Sequence, residues 1–535
     1  MSHLANPALN IGWTATGAEQ LLDLACENAP VLRRILSEFG DVPIMSYLRT
    51  LVPEIRPSWQ DRGDLLDAVV RYTAPLLGED IAARTAQELG RCPMALTANH
   101  HGVDYFSQSV HGTLLFSLLK NIDSSAASTV PILSCGNIPM NNLTYPLGML
   151  FYGVSEELLE SAPKRAPIFP DRCKRTMVST AGGFDMAMVE RAVKRIHAMG
   201  VKGEMRPDLA ACARDILMSE YGDPHVMDLP SYSDQSVVLN HRLWKRLFAQ
   251  PDSAPDVVVL ELEKLVGMVL QSDLRNEESL AWRVMFDREL RRHVLTLLDG
   301  QRICWTRKNL DRRMCLARGQ NGDPVPSNGC GTLFFWGIDS SGRKVPLTIE
   351  RDPRLGERLR GVDDRGEIRD FPFTPDGLAE GLLTGRLIPS LFTCYLTVSL
   401  ARGIVCLGGY YQAEYLPAIQ HALVNSLSAI PRYRSMGKLV GGVAADGYLS
   451  GMQTVMTEVG DGRLAPAGLM EIMAGGGLTG TDLRRIGALT VREAHLASLS
   501  ETVPDIGDCG AAFPSWGIQV ATDCHVLLAD RIVRK

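Results

Sequence analysis

Two short apolar runs that end abruptly in polar loops restrict this chain more than any other feature. Residues 94–98 read as a buried strand, and the run turns polar at Asn99, His100 and His101, with Gly102 permitting the bend. A helical spacing of apolar residues follows over 105–119. Residues 130–135 repeat the pattern and stop at Gly136 and Asn137. Open α/β sheets build their sites this way, with polar groups gathered at strand carboxyl ends and helix N-termini. Two such strands side by side predict one cleft.

Across 91–260, helices alternate with short apolar strands, including the β-branched run at 256–260. This predicts an α/β fold with a Rossmann-like, mainly parallel sheet core. The strands at 94–98, 130–135, 256–260 and 404–408 are expected to share that sheet. Around it the sequence divides into a helical layer (1–90) packed on the sheet, the α/β core (91–275) and an inserted helix and β-hairpin region (276–390). A return to the core through a glycine turn (391–430) and a helical C-terminal region (431–535) complete the layout. Within the insert, 277–298 reads as one long amphipathic helix and 333–349 as a hairpin turning at 339–343. Thr374 is placed to cap a helix whose first residue is Pro375. The glycine run at 474–482 lacks the Lys-Ser/Thr and the leading strand of a phosphate loop. It reads as a helix end followed by an N-cap at Thr481.

A formal net charge of -6 lacks the basic surplus of a nucleic-acid protein. The apolar stretch 391–407 is interrupted by Ser399 and Arg402 and is too broken to cross a bilayer. The opening Met1-Ser-His-Leu-Ala-Asn-Pro7 has no charged lead with an apolar stretch behind it, so no signal peptide is expected. Twelve cysteines without a CxxC pair read as reduced thiols. The expectation is a cytoplasmic, soluble enzyme with small-molecule partners and neither nucleic acid nor membrane. A homo-oligomer stays open.

The candidate chemistry lies in two stretches. Asn99-His-His-Gly-Val-Asp104 offers a general base, His100 or His101, with Asp104 as the acid that orients it. No HExxH and no spaced Cys/His set accompanies it, so no metal motif is present. Cys135, at the end of the second strand, is the candidate nucleophile. Leu407-Gly-Gly-Tyr-Tyr-Gln-Ala-Glu-Tyr415 is a strand end, a glycine pair and a helix start. There Gly408 and Gly409 permit close approach of a ligand and Tyr411, Gln412 and Tyr415 shape a pocket. Thr97, Asn99 and Asn137 complete the candidate ligand-binding set.

The order of these pieces resembles bacillithiol synthase, the cysteine-adding enzyme of bacillithiol biosynthesis. Thr97-Ala-Asn-His100 stands where that family has a Thr-Gly-Gln/His-Gln motif, and Gly112-Thr-Leu-Leu115 where it has Gly-Pro-Leu-Tyr. Val130-Pro131 opens the next strand, and Gly408-Gly-Tyr-Tyr-Gln412 with Tyr415 matches its glycine turn. The similarity runs over roughly residues 80–425 in order and spacing. Three places in the pattern depart. Ile138, Pro139, Met140 and Asn141 replace an acidic strand end, Gln412 replaces a glutamate, and His100 falls on a glutamine. The resemblance implies a Rossmann-like core with an inserted helical domain and amide-bond formation on a small metabolite.

Together these readings predict a ligase-like enzyme joining an amino acid or acyl donor to a small amine in a specialised biosynthetic, natural-product pathway. ATP or another nucleotide is open as the activating cofactor. The alternatives are a hydrolase or acyltransferase using the His/Asp pair with Cys135, and an inactive relative that serves as a binding subunit.

Overall fold

The computed structural model describes residues 15–54, 56–120, 128–152, 163–317, 329–459, 463–506, 516–528 and 530–535. Four apolar runs form the strands β1 (Met94–Leu96), β2 (Thr129–Ser134), β3 (Asp256–Glu261) and β4 (Val405–Leu407). They make one sheet in the order β4-β1-β2-β3, with every neighbouring pair parallel. Leu96 lies opposite Leu407 on one side and Ile132 on the other, and Ser134 lies opposite Glu261. The runs expected to share a parallel sheet do share one.

Both faces of the sheet are covered, which is why its strands are apolar at successive positions rather than at alternate ones. Five helices matter most here: α1 (Gly63–Leu77), α2 (Ser107–Lys120), α3 (Tyr232–Arg246), α4 (Leu262–Asp273) and α5 (Tyr410–Ser428). Val257 and Val259 bury with Met94, Leu96 and Ile132 against α2 and α3. Val258 and Leu260 point the other way, with Ala95 and Leu133, against α1 and α4. The chain runs from β1 to β2 to β3 and then returns to the far side of β1 for β4. Its direction of travel reverses at β1, where an open sheet leaves a crevice at the strand carboxyl ends.

Several expectations need correction. The stretch 277–298 is two helices, Leu280–Phe286 and Arg288–Leu297. Asp287 interrupts it by accepting from Glu289 N at 3.0 Å and Leu290 N at 3.1 Å, a cap in the middle of an amphipathic pattern. The hairpin forms from Phe335–Ile338 and Lys344–Pro346, and Leu387–Pro389 adds a third strand. A further sheet of Thr348–Asp352, Gly356–Val362 and Ile368–Pro372 was not expected. Charged pairs cross it, with Asp370 bonded to Arg358 and Arg360, so its pattern reads as loop rather than strand.

The C-terminal region is not wholly helical. Val455–Val459, Arg463–Pro466 and Val533–Arg534 form a three-stranded sheet within it. Its helix after the glycine run is capped by Thr479, not Thr481. Thr479 Oγ1 accepts from Asp482 N at 3.2 Å and the Asp482 carboxylate accepts from Thr479 N at 2.8 Å, a reciprocal box. The N-terminal helices are also divided. α1 and Glu79–Arg91 lie on the sheet, whereas Ala15–Asn28 packs on Leu499–Ile506 and Trp516–Leu528. Thr374 caps the helix as expected, and Pro375 is its first residue. No helix among the described residues is long and apolar enough to cross a membrane.

Candidate functional site

Pairing of β1 with β2 continues one step past the strands. Cys135 N donates to Asn99 O at 3.0 Å and His101 N to Cys135 O at 2.8 Å, which fixes the backbone under both histidines. From there the predicted residues go to different surroundings.

His100 is half-buried, and its Nδ1 lies 2.8 Å from Asn142 Oδ1. Thr144 N also meets Asn142 Oδ1, at 3.1 Å. A backbone N–H can only donate, so that Asn142 atom is the oxygen and the imidazole proton is on Nδ1. Nε2 then carries a lone pair, and no described residue bonds to it. Burial, with the Lys344 ammonium nearby, holds His100 below its ordinary pKa, so the ring is neutral near pH 7. The orienting partner is Asn142, not Asp104.

Lys344 was not foreseen. Its hairpin docks through Gly342 O, which accepts from Met177 N at 3.1 Å and from Thr180 Oγ1 at 2.7 Å. The same segment reaches β2, because Ser179 N donates to Gly136 O and Val178 N to Ile138 O. This chain of contacts brings Lys344 Nζ to 3.2 Å from Asn137 O, with the ammonium 4.7 Å from the Trp336 ring centre. Its pKa is lowered by desolvation, against the pull of Cys135 and Glu263. No described carboxylate lies within ion-pair distance of it. The hairpin was legible in the sequence; the loop it docks against was not.

Cys135 is unsuited to nucleophilic work. Its thiol donates to Glu263 Oε1 at 3.2 Å, and burial and that carboxyl push its pKa well above the ordinary value. Glu263 also accepts from Gly136 N at 2.7 Å and Asn137 N at 3.3 Å, so its carboxylate is saturated. Asn137 contributes its backbone oxygen to Lys344, while its Nδ2 is buried without a partner.

His101 is fully buried. Nδ1 lies 2.7 Å from Ser134 Oγ and Nε2 2.9 Å from Ser233 Oγ, and burial pushes its pKa down to about 3. Ser233 in turn donates to Glu261, whose carboxyl burial pushes up to about 7. Both ring nitrogens are engaged in the core, so His101 is not placed to act on a ligand.

The glycine turn is filled by its own side chains. Gln412 folds back over Gly408, where an added Cβ would lie 2.3 Å from Gln412 Cδ. Gln412 Nε2 donates to Thr97 Oγ1 at 2.7 Å, and its Oε1 accepts from Tyr395 OH at 2.8 Å. Tyr415 OH lies 3.4 Å from Tyr395 OH. Gly408 O accepts from Leu449 N and Ser450 N, and Gly409 lies against Ser450 O. Tyr411 OH donates to Asp505 O at 2.8 Å, under the Arg302 guanidinium 3.4 Å from its ring centre. Thr97, Gln412 and Tyr415 thus satisfy one another rather than opening a pocket beside the histidines.

Asn99 and Asp104 turn to a separate cavity between α2, α3 and the sheet. Asn99 Nδ2 donates to Asp104 Oδ2 at 3.0 Å and to Thr113 Oγ1 at 3.1 Å. Burial pushes the Asp104 carboxyl up to about 7. The described residues hold no group of three or more His, Cys, Asp or Glu side chains arranged for a metal ion. No protein-family model, curated protein or solved structure matches the chain.

Proposed function

We propose that the chain is a C–N bond-forming enzyme that joins an anionic acyl or amino-acid donor to a small amine on a Rossmann-like core. The observation that carries this reading is the free Nε2 of a neutral, Asn142-oriented His100 at the carboxyl ends of the strands, close enough to the Lys344 ammonium to feel its charge. His100 Nε2 takes the proton that the amine loses as it attacks the donor carbonyl, and the leaving group departs with its electron pair. Lys344 supplies the positive charge for a carboxylate or phosphate on the donor. With the Cys135 thiol held protonated, the amine attacks an activated donor directly, and no enzyme-bound acyl group is formed. A nucleotide such as ATP is the proposed source of activation. This reading puts the enzyme in the cytoplasm, where the free thiols among its described cysteines stay reduced.

The test supplies the protein with ATP, a panel of amino acids and small primary amines, and follows phosphate and pyrophosphate release with product mass. Nucleotide should be consumed only when donor and amine are both present. His100→Ala should lower the rate about 100-fold or more without lowering the melting temperature. Product formed with water alone would make the protein a hydrolase. Full activity in His100→Ala would remove the base, and no turnover with any pair would favour a binding subunit.

A further inference from the structure

The rim of the His100 site carries a set of charges that does not balance. Arg175, Arg313 and Arg343 come from three separate segments and converge on one carboxylate. Arg175 Nη2 lies 2.5 Å and Arg343 Nη1 3.7 Å from Asp364 Oδ2, and Arg313 Nη2 lies 3.7 Å from Asp364 Oδ1. Arg313 is fixed from behind, since its guanidinium also donates to Val362 O at 3.0 Å. Three guanidiniums around one carboxylate leave a surplus of two positive charges, in a chain whose formal net charge is -6.

The neighbouring described groups do not cancel that surplus. Arg369 is shared between Asp363 and Glu367, but Arg365 beside it meets only the hydroxyls of Ser340 and Ser341. Asp339 spends one carboxylate oxygen on Ser341 N and Arg343 N, while Lys344 has no carboxylate set against it. Lys174 is paired with Asp171. The cluster also adjoins the proposed site from two directions. Arg343 precedes Lys344 in the hairpin, and Arg175 follows Lys174. The Lys174 carbonyl accepts from Asn141 N, one residue before the Asn142 that orients His100.

We propose that this rim binds the polyphosphate chain of a nucleotide, with Arg175 and Arg343 released from Asp364 to take it. Guanidiniums that converge on a point suit a compact anion of several charges, whereas an acidic protein would be met by charges spread over a face. Each guanidinium is a planar fork of N–H groups that matches the oxygens of a phosphate, and one carboxylate cannot engage three such forks. Asp364 holds their place. It is partly exposed, in the turn between Gly356–Val362 and Ile368–Pro372, and an ion pair open to water is weak enough to exchange. The proposal deepens the reading of a nucleotide-activated donor, and it rests on that reading for the use made of the phosphates.

The experiment titrates the full chain with sodium tripolyphosphate, ATP and AMP in a calorimeter at constant ionic strength. Tripolyphosphate and ATP should bind, and AMP, with its single phosphate, about tenfold more weakly or worse. Arg175→Ala and Arg343→Ala should each weaken tripolyphosphate about tenfold, the loss of one charged hydrogen-bonding partner. Their melting temperatures without ligand should stay close to that of the parent chain, because both side chains reach solvent. Asp364→Asn should tighten tripolyphosphate by removing the carboxylate that competes for the same guanidiniums. A cluster that only holds its turn would instead lose melting temperature in Asp364→Asn and leave tripolyphosphate affinity unmoved, which overturns the proposal. So does the absence of tripolyphosphate binding, or arginine variants that bind it as the parent does. A poly-aspartate peptide that binds as tightly would also overturn it and mark an acidic protein as the partner. Tripolyphosphate binding in a chain that turns over no donor and amine would retire the C–N bond-forming reading and leave this site in place.

Discussion

His100 and His101 are adjacent in sequence and opposite in situation. A single step along the chain turns one ring toward Asn142 and solvent and the other into the core. The two should therefore fail differently when replaced. Removing the fully buried His101 ring leaves a cavity between Ser134 and Ser233, whose hydroxyls keep Leu260 O and Glu261 as acceptors, and emptying a buried side chain costs about 2–5 kcal/mol. His101→Ala should thus lower the urea midpoint while the folded fraction keeps its turnover. A variant with unchanged stability and lost activity would reverse the roles of the two histidines. Sequence reasoning brought both into view because a strand end announces polar chemistry. It named Asp104 as the orienting acid because that carboxyl is near in sequence. The group that orients His100 is Asn142, on a loop brought in by folding, and nothing local in the sequence marks it.

At the scale of elements, Arg402 shows how the approach to β4 is fixed. Its guanidinium is fully buried and grips Asp273 through Nη1 at 2.9 Å and Nη2 at 2.8 Å, while Nε donates to Asp64 at 2.8 Å. One side chain therefore ties α1, α4 and the segment entering β4. Breaking a buried ion pair from one side typically costs about 3–5 kcal/mol, and here the cost falls on buried Asp273, left with the Gln60 amide, while the partly exposed Asp64 takes up water. Arg402→Ala should lose that much in a denaturant titration, and a loss below about 1 kcal/mol would show that water replaces the clamp. In the sequence Arg402 figured only as an interruption of an apolar stretch. The four central strands were legible because each is a compact apolar run buried on both faces. The charged sheet over 348–372 was not, since its stability comes from cross-strand Arg–Asp pairs that look like loop composition. The long helix at 277–298 was misread because an amphipathic period survives a cap such as Asp287.

At the scale of the whole molecule, two sets of buried groups pull stability in opposite directions with pH. Burial holds His101 and His495 down to about 3 and His111 to about 4. The unfolded chain binds protons on these rings below about 6.5, which the folded state refuses, so they cost stability as pH falls. Burial raises Asp104, Glu261 and Glu501 to about 7. The folded state keeps those protons while the unfolded chain loses them above about 4, so these groups cost stability as pH rises toward 7. Between about pH 4.5 and 6.5 the slopes oppose each other group for group, and below about 4 only the histidines remain. Melting temperature should be level across that window and fall steeply below it. A continuous climb from pH 4.5 to 7 would mean that these carboxyls ionise in the fold.

The sheet order carries a consequence for how the protein is made. β1 pairs with β2 on one side and with β4 on the other, yet β4 leaves the ribosome only after residue 405. Until then one edge of β1 has open N–H and C=O groups and apolar neighbours, the kind of template on which nascent chains stick to one another. Slowing translation between β3 and β4 should lower the soluble yield, and a chaperone that shields strand edges should restore it.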